Sequence, residues 1–132
     1  MQTAMARAAQ AYYQTQVQSQ SPLELVVMLY DGALRFMRLA ADGTRRRDLV
    51  VKRDGMSRAM AILAELQNTL NVENGGEIAR SLDGLYAYIT SRLIEANIKQ
   101  DPAPIEESIR LLTPLRDAWA QIAANPGQPV TK

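Results

Sequence analysis

Apolar residues recur along most of this chain with the spacing of α-helices. Between positions 21 and 124, four segments repeat Leu, Ala, Met, Val and Ile every three or four residues, which places these side chains on one face of each helix. We therefore predict helices at about 22–42, 49–70, 77–99 and 102–124. Because the connections between them are short, the predicted fold is all-α, an antiparallel up-down four-helix bundle.

Residues with strong terminal preferences mark two of the helix starts. Ser21 offers a hydroxyl N-cap, Pro22 follows where its missing N–H costs nothing, and Glu24 is placed to complete a capping box. Asp101 and Pro102 repeat the cap and the proline before the fourth helix. The bundle is therefore predicted to begin at position 21.

Breakers interrupt the periodic pattern at three other places. Gly43 and Thr44 are expected to end the first helix, and the run 71–76, rich in Asn and Gly, is expected to form a tight connection. Pro114 stands inside the fourth segment, where proline removes a backbone hydrogen bond at a cost of about 3 kcal/mol. We expect a kink or a break in the fourth helix at that position.

The domain organisation follows from these segments. A chain of 132 residues can build one core but not two ordinary domains. Residues 1–20 are rich in Gln, Ala, Ser and Thr and predict a flexible or docked N-terminal arm, and residues 125–132, which hold two prolines and a glycine, predict a disordered tail. The bundle then occupies residues 21–124.

The first helix carries more apolar surface than one bundle face requires. At about 100° per residue its charged side chains fall on one narrow strip, whereas apolar side chains cover most of the remaining circumference. The centre of the apolar face is formed by Val26, Tyr30, Ala33, Met37 and Ala40, and its wings by Leu25, Leu29, Phe36, Met28 and Leu39 on one side and Val27 and Leu34 on the other. Some of these wing side chains must therefore be buried by residues outside the four-helix core.

Three interpretations of this excess stay open on the pattern alone. The first helix can be the central helix of a tight bundle, the wings can form the seam of a homodimer, or they can line a groove for an amphipathic helix of a partner. Gly32 is unusual in the same helix, since Gly weakens a helix interior by up to about 1 kcal/mol relative to Ala. A close helix contact at Gly32 would explain it, and Gly32→Leu should then damage folding.

Composition narrows the chemistry that the chain can perform. It has neither Cys nor His, which excludes disulfides and thiolate metal sites and removes the usual proton-transfer side chain near neutral pH. No signal-peptide core and no uninterrupted apolar span occur, so we expect a soluble protein without a membrane span. The net charge of +1 gives no general attraction to nucleic acid. No metal and no cofactor are predicted.

Charged clusters offer only weak alternatives. Arg45, Arg46 and Arg47, with Lys52 and Arg53 nearby, could bind phosphate, but a basic run at a helix junction is usually solvated. A small helical enzyme acting on an anionic metabolite would need such residues to point inward. The acidic residues form no metal-ligand set of recognised spacing; they are Glu77, Glu95, Glu106 and Glu107.

Three blocks of sequence resemble the flagellin-specific export chaperones known as the FliS family. The first comprises Tyr12 to Val17, Ser21-Pro22, Leu25 and the run Met28 to Ala33; the second runs from Leu70-Asn71 through Gly75 to Ala79 and on to Ala96-Asn97; the third is Leu115 to Trp119. The blocks occur in order and cover almost all of residues 12–122. The Leu-Tyr-Asp-Gly-Ala run after a Ser-Pro cap is the most specific of them.

The resemblance implies a cytoplasmic chaperone and no enzyme. In the family the bundle binds the disordered C-terminal segment of flagellin, prevents premature polymerisation and helps present flagellin to a component of the export gate, while an N-terminal segment can cover the groove of the free chaperone. An anti-sigma factor is a further candidate partner, and a weak homodimer is a further use of the same surface. The partner-binding residues expected from the motifs and the wings are Tyr12, Val17, Leu25, Met28, Leu29, Tyr30 and Phe36.

Overall fold

The computed structural model describes residues 22–70 and 72–125, and it describes no side chains at 72–74. These residues form four helices and no strand: α1 (Pro22–Arg46), α2 (Leu49–Thr69), α3 (Val72–Lys99) and α4 (Ala103–Ala124). The predicted all-α class is confirmed. The predicted arm at 1–20, the Ser21 cap and most of the predicted tail lie outside the described residues.

The helices pack in a ring in chain order. α1 packs against α2 and α4, and α3 packs against the same two helices, so that α1 and α3 lie diagonally across the bundle. Connections of two or three residues join neighbouring helices, which forces each helix to run antiparallel to the one before it. The predicted up-down bundle is the arrangement observed.

The core runs along the centre of α1 as its pattern predicts. Tyr30, Ala33, Met37 and Ala40 have no exposed surface, and Leu34 from one wing is also buried. Full burial of a Leu, Ile or Met side chain contributes roughly 1.5–3 kcal/mol. The other helices complete the core with Met56, Ala59, Leu63, Leu66, Tyr86, Ile89, Leu93, Ala96, Ile105 and Leu112.

The predicted break at Gly43 and Thr44 is wrong, because both residues lie inside α1 and are buried. A Cβ atom at Gly43 would stand 2.5 Å from the backbone nitrogen of Lys52, so the glycine allows α2 to approach α1 closely. The Thr44 hydroxyl donates to the carbonyl of Ala40 at 2.7 Å. α1 ends instead at Arg46, and the next residue, Arg47, has a φ of 58°, which lies in the left-handed region.

Two further glycines serve contacts between α1 and α2. A Cβ atom at Gly55 would lie 2.7 Å from the backbone nitrogen of Ala40 and from the carbonyl oxygen of Phe36. At Gly32 it would lie 3.0 Å from Cδ1 of Ile62. The close helix contact predicted at Gly32 is therefore confirmed, and it is made by a side chain of α2.

The predicted connection at 71–76 is partly helical. The turn from Val72 onward is helical, and Gly76, with φ of 59° and ψ of −135°, separates it from the regular helix that follows. Only a residue without Cβ adopts this backbone conformation easily. The regular part of α3 thus begins at Glu77, as the pattern predicts.

α4 begins and continues differently from the prediction. Its first residue is Ala103, whose N–H donates to Oδ1 of Asp101 at 3.0 Å, so Pro102 precedes the helix instead of opening it. The helix is not broken in two at Pro114, which is exposed. Pro114 has no N–H to bond the carbonyl of Arg110, four residues earlier. Because Arg110 is also exposed, water can bond this carbonyl instead, which lowers the free-energy cost of having proline inside the helix.

Candidate peptide-binding groove

The bundle is open at the end where α1 begins. A cavity of about 540 Å³ lies there among the starts of α1 and α3, the end of α2 and one side chain of α4. We call it the end groove; none of the described residues that line it is charged, and most are aliphatic. They are Pro22, Leu23, Leu25, Val26, Leu29, Leu66, Thr69, Leu70, Gly75, Ile78, Ala79, Leu82, Tyr86 and Trp119.

The local sequence explains why the groove forms at this end. α2 ends at Thr69 and the chain turns at Gly76, so the first regular turn of α3 stands beside the first turns of α1. Ile78 on that turn is 73% exposed, although it lies at the helical spacing of the core residues. Among the described residues no side chain fills the centre of the bundle at this end, so the apolar walls face an open space.

The floor of the end groove is formed by Tyr86 and Trp119, which line it, and by Tyr30, which lies behind them in the core. The hydroxyls of Tyr30 and Tyr86 lie 2.6 Å apart, and their rings meet edge to face with centroids 6.3 Å apart. Burial raises the pKa of both phenols, and at Tyr30 the hydrogen bond with Tyr86 partly offsets this effect. The Nε1–H of Trp119 lies near enough to the Tyr30 hydroxyl to lower its pKa slightly, but its geometry closes no hydrogen bond.

The structure divides the partner-binding residues predicted on α1. Leu25 and Leu29 line the end groove. Met28, 56% exposed, lies on the other flank of α1 in a shallower depression of about 300 Å³ beside the end of α4. Tyr30 is fully buried and belongs to the core. Leu25 and Leu29 thus face the end groove, whereas Met28, which was predicted on the same side of α1, lies on the opposite flank beside Val27.

The remaining predicted residues lie elsewhere or outside the described residues. Phe36 is half-buried, and the guanidinium carbons of Arg35 and Arg58 stand 4.8 Å and 5.5 Å from its ring centroid. These cations cover its face, and Phe36 does not line the end groove. Tyr12 and Val17 lie outside the described residues.

Several groove residues were not predicted as partner-binding. Leu66 and Leu70 on α2, Ile78 and Leu82 on α3, and Trp119 on α4 line the end groove. Their helical spacing identified them as core residues, and spacing alone does not tell which end of a bundle is left unfilled. The breakers around 71–76 were the usable signal, since they place the start of α3 next to the start of α1.

Several of the charged residues singled out in the sequence are held in ion pairs on the surface. Arg45 pairs with Glu106, and Arg46 pairs with Asp42 along α1. On α3, Lys99 and Arg92 both contact Glu95 and lower the pKa of its carboxyl. Within residues 22–70 and 72–125 no three acidic residues come together in a way that could hold a metal ion.

Tyr88 and Glu107 join α3 to α4 outside the groove. The Tyr88 hydroxyl donates to Oε2 of Glu107 at 2.7 Å, and Arg92 donates to Oε1 of the same carboxylate at 2.6 Å. These two donors lower the pKa of the Glu107 carboxyl.

In the part of the chain that the structure describes, none of the helices could cross a membrane.

Fold and site together define a class of protein: a four-helix bundle with an apolar groove at one end. Comparison with known proteins gives the family. The family model described as "Flagellar protein FliS" matches residues 5–126. The chain belongs to the FliS family.

Curated relatives over most of the chain carry the same name. The "Flagellar secretion chaperone FliS" of Bacillus subtilis (strain 168) is 40% identical over 111 residues, which are 84% of this chain and 82% of the relative. The protein of that name from Salmonella typhimurium is 39% identical over 116 residues, 87% of this chain and 86% of the relative. The one from Campylobacter jejuni is 38% identical over 115 residues, 87% of this chain and 90% of the relative.

Proposed function

We propose that this chain is a cytoplasmic flagellar export chaperone that binds the C-terminal segment of flagellin in the end groove. The observation that carries the proposal is the groove itself: about 540 Å³ of uncharged, largely aliphatic space at the open end of a bundle of this family. Its volume lies within the range of roughly 300–1,000 Å³ that ligand sites occupy. The relatives' name, secretion chaperone, supports delivery to an export-gate component as the step that follows binding.

The physical reasoning starts from the exposed apolar side chains of the groove. Ile78 is 73% exposed, and Leu25 and Leu29 are only partly covered, so water contacts aliphatic surface that a partner could bury. Burial of apolar surface contributes about 25 cal/mol per Å². A disordered segment needs such a gain, because ordering it on binding costs roughly 2–5 kcal/mol or more.

The occupant that fits these walls is one amphipathic helix. The groove is bounded by helices on three sides and offers no free strand edge among the described residues, so a bound segment has to satisfy its own backbone hydrogen bonds. A helix does this and presents apolar side chains at positions i, i+3 and i+4 to the groove. Because the lining is uncharged, we expect the buried face of the segment to be uncharged too.

The test is a titration of the full chain with the C-terminal segment of flagellin from the same organism. Binding should appear as heat in calorimetry and as added helicity in circular dichroism. Ile78→Asp places a charge on the groove wall and should weaken binding at least tenfold, since loss of a buried Ile contact is worth roughly 1.5–3 kcal/mol. The exposure of Ile78 in the free protein means that the variant should still fold.

Ile98→Asp is the matched control. Ile98 lies on the same helix, is 74% exposed and does not line the end groove. Its substitution should leave the affinity for the segment unchanged. Equal weakening by both variants, or no binding of the segment to the wild-type chain, would contradict the proposal.

The two alternatives predict different results in the same samples. A homodimer formed through the wings of α1 would sediment as a dimer whose dissociation is sensitive to Met28→Asp, and would ignore the flagellin segment. An enzyme of anionic metabolites would depend on Arg45, Arg46 and Arg47. Because Arg45 and Arg46 are paired with acidic residues on the surface, we expect their joint replacement by Ala to leave segment binding intact.

A further inference from the structure

The floor of the end groove contains more hydrogen-bond donors than it can satisfy internally. Tyr30 and Tyr86 each carry one O–H that donates and an oxygen that accepts, whereas the indole of Trp119 only donates. The three groups therefore bring three hydrogens to two acceptor oxygens. The only hydrogen bond among them is the one between the two hydroxyls, at 2.6 Å.

A count of hydrogens shows what is left over. If one hydroxyl donates to the other, the hydrogen of the accepting hydroxyl and the Trp119 Nε1–H have no acceptor within the described residues. A small shift could bring Nε1–H to the Tyr30 oxygen, and one phenolic hydrogen would still remain. A buried donor without an acceptor lowers stability, so the site is incomplete as an isolated domain.

The position of Tyr86 shows where the missing acceptor has to come from. Tyr86 lines the end groove, whereas Tyr30 lies behind it in the core. Phenolic hydrogens rotate, so Trp119 can donate to Tyr30, Tyr30 to Tyr86, and Tyr86 into the groove. Hydrogen bonds in such a chain strengthen one another. In this arrangement every donor except the last is satisfied within the domain.

We propose that the end groove recognises one uncharged polar side chain of its occupant, an amide or hydroxyl oxygen that accepts a hydrogen bond from Tyr86. This inference rests on the proposed function and adds a specificity requirement to it. A carboxylate is disfavoured, because the lining has no cation to pair with it. A backbone carbonyl before the last turn of a bound helix is already occupied, which points to Asn, Gln, Ser or Thr as the source of the oxygen.

Tyr86→Phe removes the donor and keeps the ring. With the C-terminal segment of flagellin as the probe, the variant should bind roughly 3- to 10-fold more weakly than the wild-type chain. Each Asn, Gln, Ser and Thr of the segment is then replaced by Ala in turn. One of these changes should weaken binding to the wild-type chain by a similar factor and have little further effect on Tyr86→Phe, since both changes remove the same bond.

Tyr88→Phe provides the matched control. Tyr88 is two residues away on the same helix and donates to Glu107 outside the groove. Tyr88→Phe should therefore bind the segment as tightly as the wild-type chain does.

The chain has one tryptophan, so its single indole N–H signal in NMR reports on the floor directly. It should move downfield when the wild-type segment binds, and less with the segment variant that lacks the acceptor.

The possible outcomes separate the two proposals. If the segment does not bind the wild-type chain, the proposed function falls and this inference falls with it. If the segment binds but no polar position weakens binding to the wild-type chain, or if the weakening is the same with Tyr86→Phe, only this inference is overturned. The scan against the wild-type chain and the indole signal do not require Tyr86→Phe to fold.

Discussion

The guanidinium of Arg116 on α4 holds both carboxylate oxygens of Asp31 on α1. Nε donates to Oδ1 at 2.7 Å and Nη2 contacts Oδ2 at 3.4 Å, across 85 positions of sequence. The carboxylate raises the pKa of Arg116, which stays charged at every ordinary pH. This pair joins α1 to α4 three residues before Trp119 of the groove floor.

Exchanging the charges of this pair tests its role. Asp31→Arg should lower the midpoint of urea unfolding, because two guanidinium groups then face each other. Adding Arg116→Asp to the same chain should recover part of the loss. Both effects should shrink in high salt, since the pair is partly exposed to solvent. A double variant no more stable than Asp31→Arg alone would show that the two residues do not interact.

Two glycine-to-alanine changes should have opposite effects on stability. Gly55→Ala forces a methyl group against the backbone of Ala40 and Phe36, 2.7 Å away, and should destabilise the protein by about 1–3 kcal/mol. Gly84→Ala meets nothing within 4 Å on α3 and should stabilise by up to about 1 kcal/mol through helix propensity. Chemical denaturation of both variants measures the difference. Loss of stability in Gly84→Ala would contradict this account.

A buried cation links α2 to the connection between α3 and α4. Lys52 is 5% exposed, and its Nζ donates to Oε1 of Gln100 at 3.0 Å. Gln100→Ala removes this acceptor and should cost about 1–3 kcal/mol of unfolding free energy. In a Lys52→Met background the same change should cost much less, because no buried ammonium is left without its partner. Equal costs in both backgrounds would rule out the link.

The two phenols of the groove floor make stability depend on alkaline pH. Burial raises the pKa of Tyr30 and Tyr86 above the ordinary value of 10.0. The unfolded chain therefore loses these protons at lower pH than the folded chain does. The stabilisation is complete below pH 10 and declines as the pH rises above it, by up to about 1.4 kcal/mol per pH unit for each phenol.

Denaturation curves between pH 8 and pH 11 measure this slope. A chain with both Tyr30→Phe and Tyr86→Phe should show a flatter dependence than the wild-type chain, whatever its absolute stability. An unchanged slope would mean that neither phenol ionises differently in the folded and unfolded states.

The periodicity of the sequence predicts the four helices and the core face of α1 because both depend on local spacing. Tyr30, Ala33, Met37 and Ala40 are buried as predicted. The error at Gly43 has a physical cause: local propensity treats Gly as a breaker, but here the close approach of Lys52 from the next helix requires it. Tertiary contacts overrode the propensity, and a single sequence gives no direct sign of such a contact.

The groove was predictable only in part. The excess of apolar surface on α1 indicated that Leu25 and Leu29 lack a complete cover, and the structure places both on the end groove. It could not indicate that Met28 lies on the opposite flank of α1 from the groove, or that Phe36 lies away from the groove beneath two arginines. Those distinctions depend on which helices are neighbours and on where each of them ends.

The short connections between the helices have a kinetic consequence. Each of the three joins helices that are consecutive in sequence and adjacent in space, and only the contact of α1 with α4 closes a long loop. Chains dominated by such local pairings typically fold within microseconds to milliseconds. A domain that folds this quickly exposes its apolar core side chains to solvent only briefly.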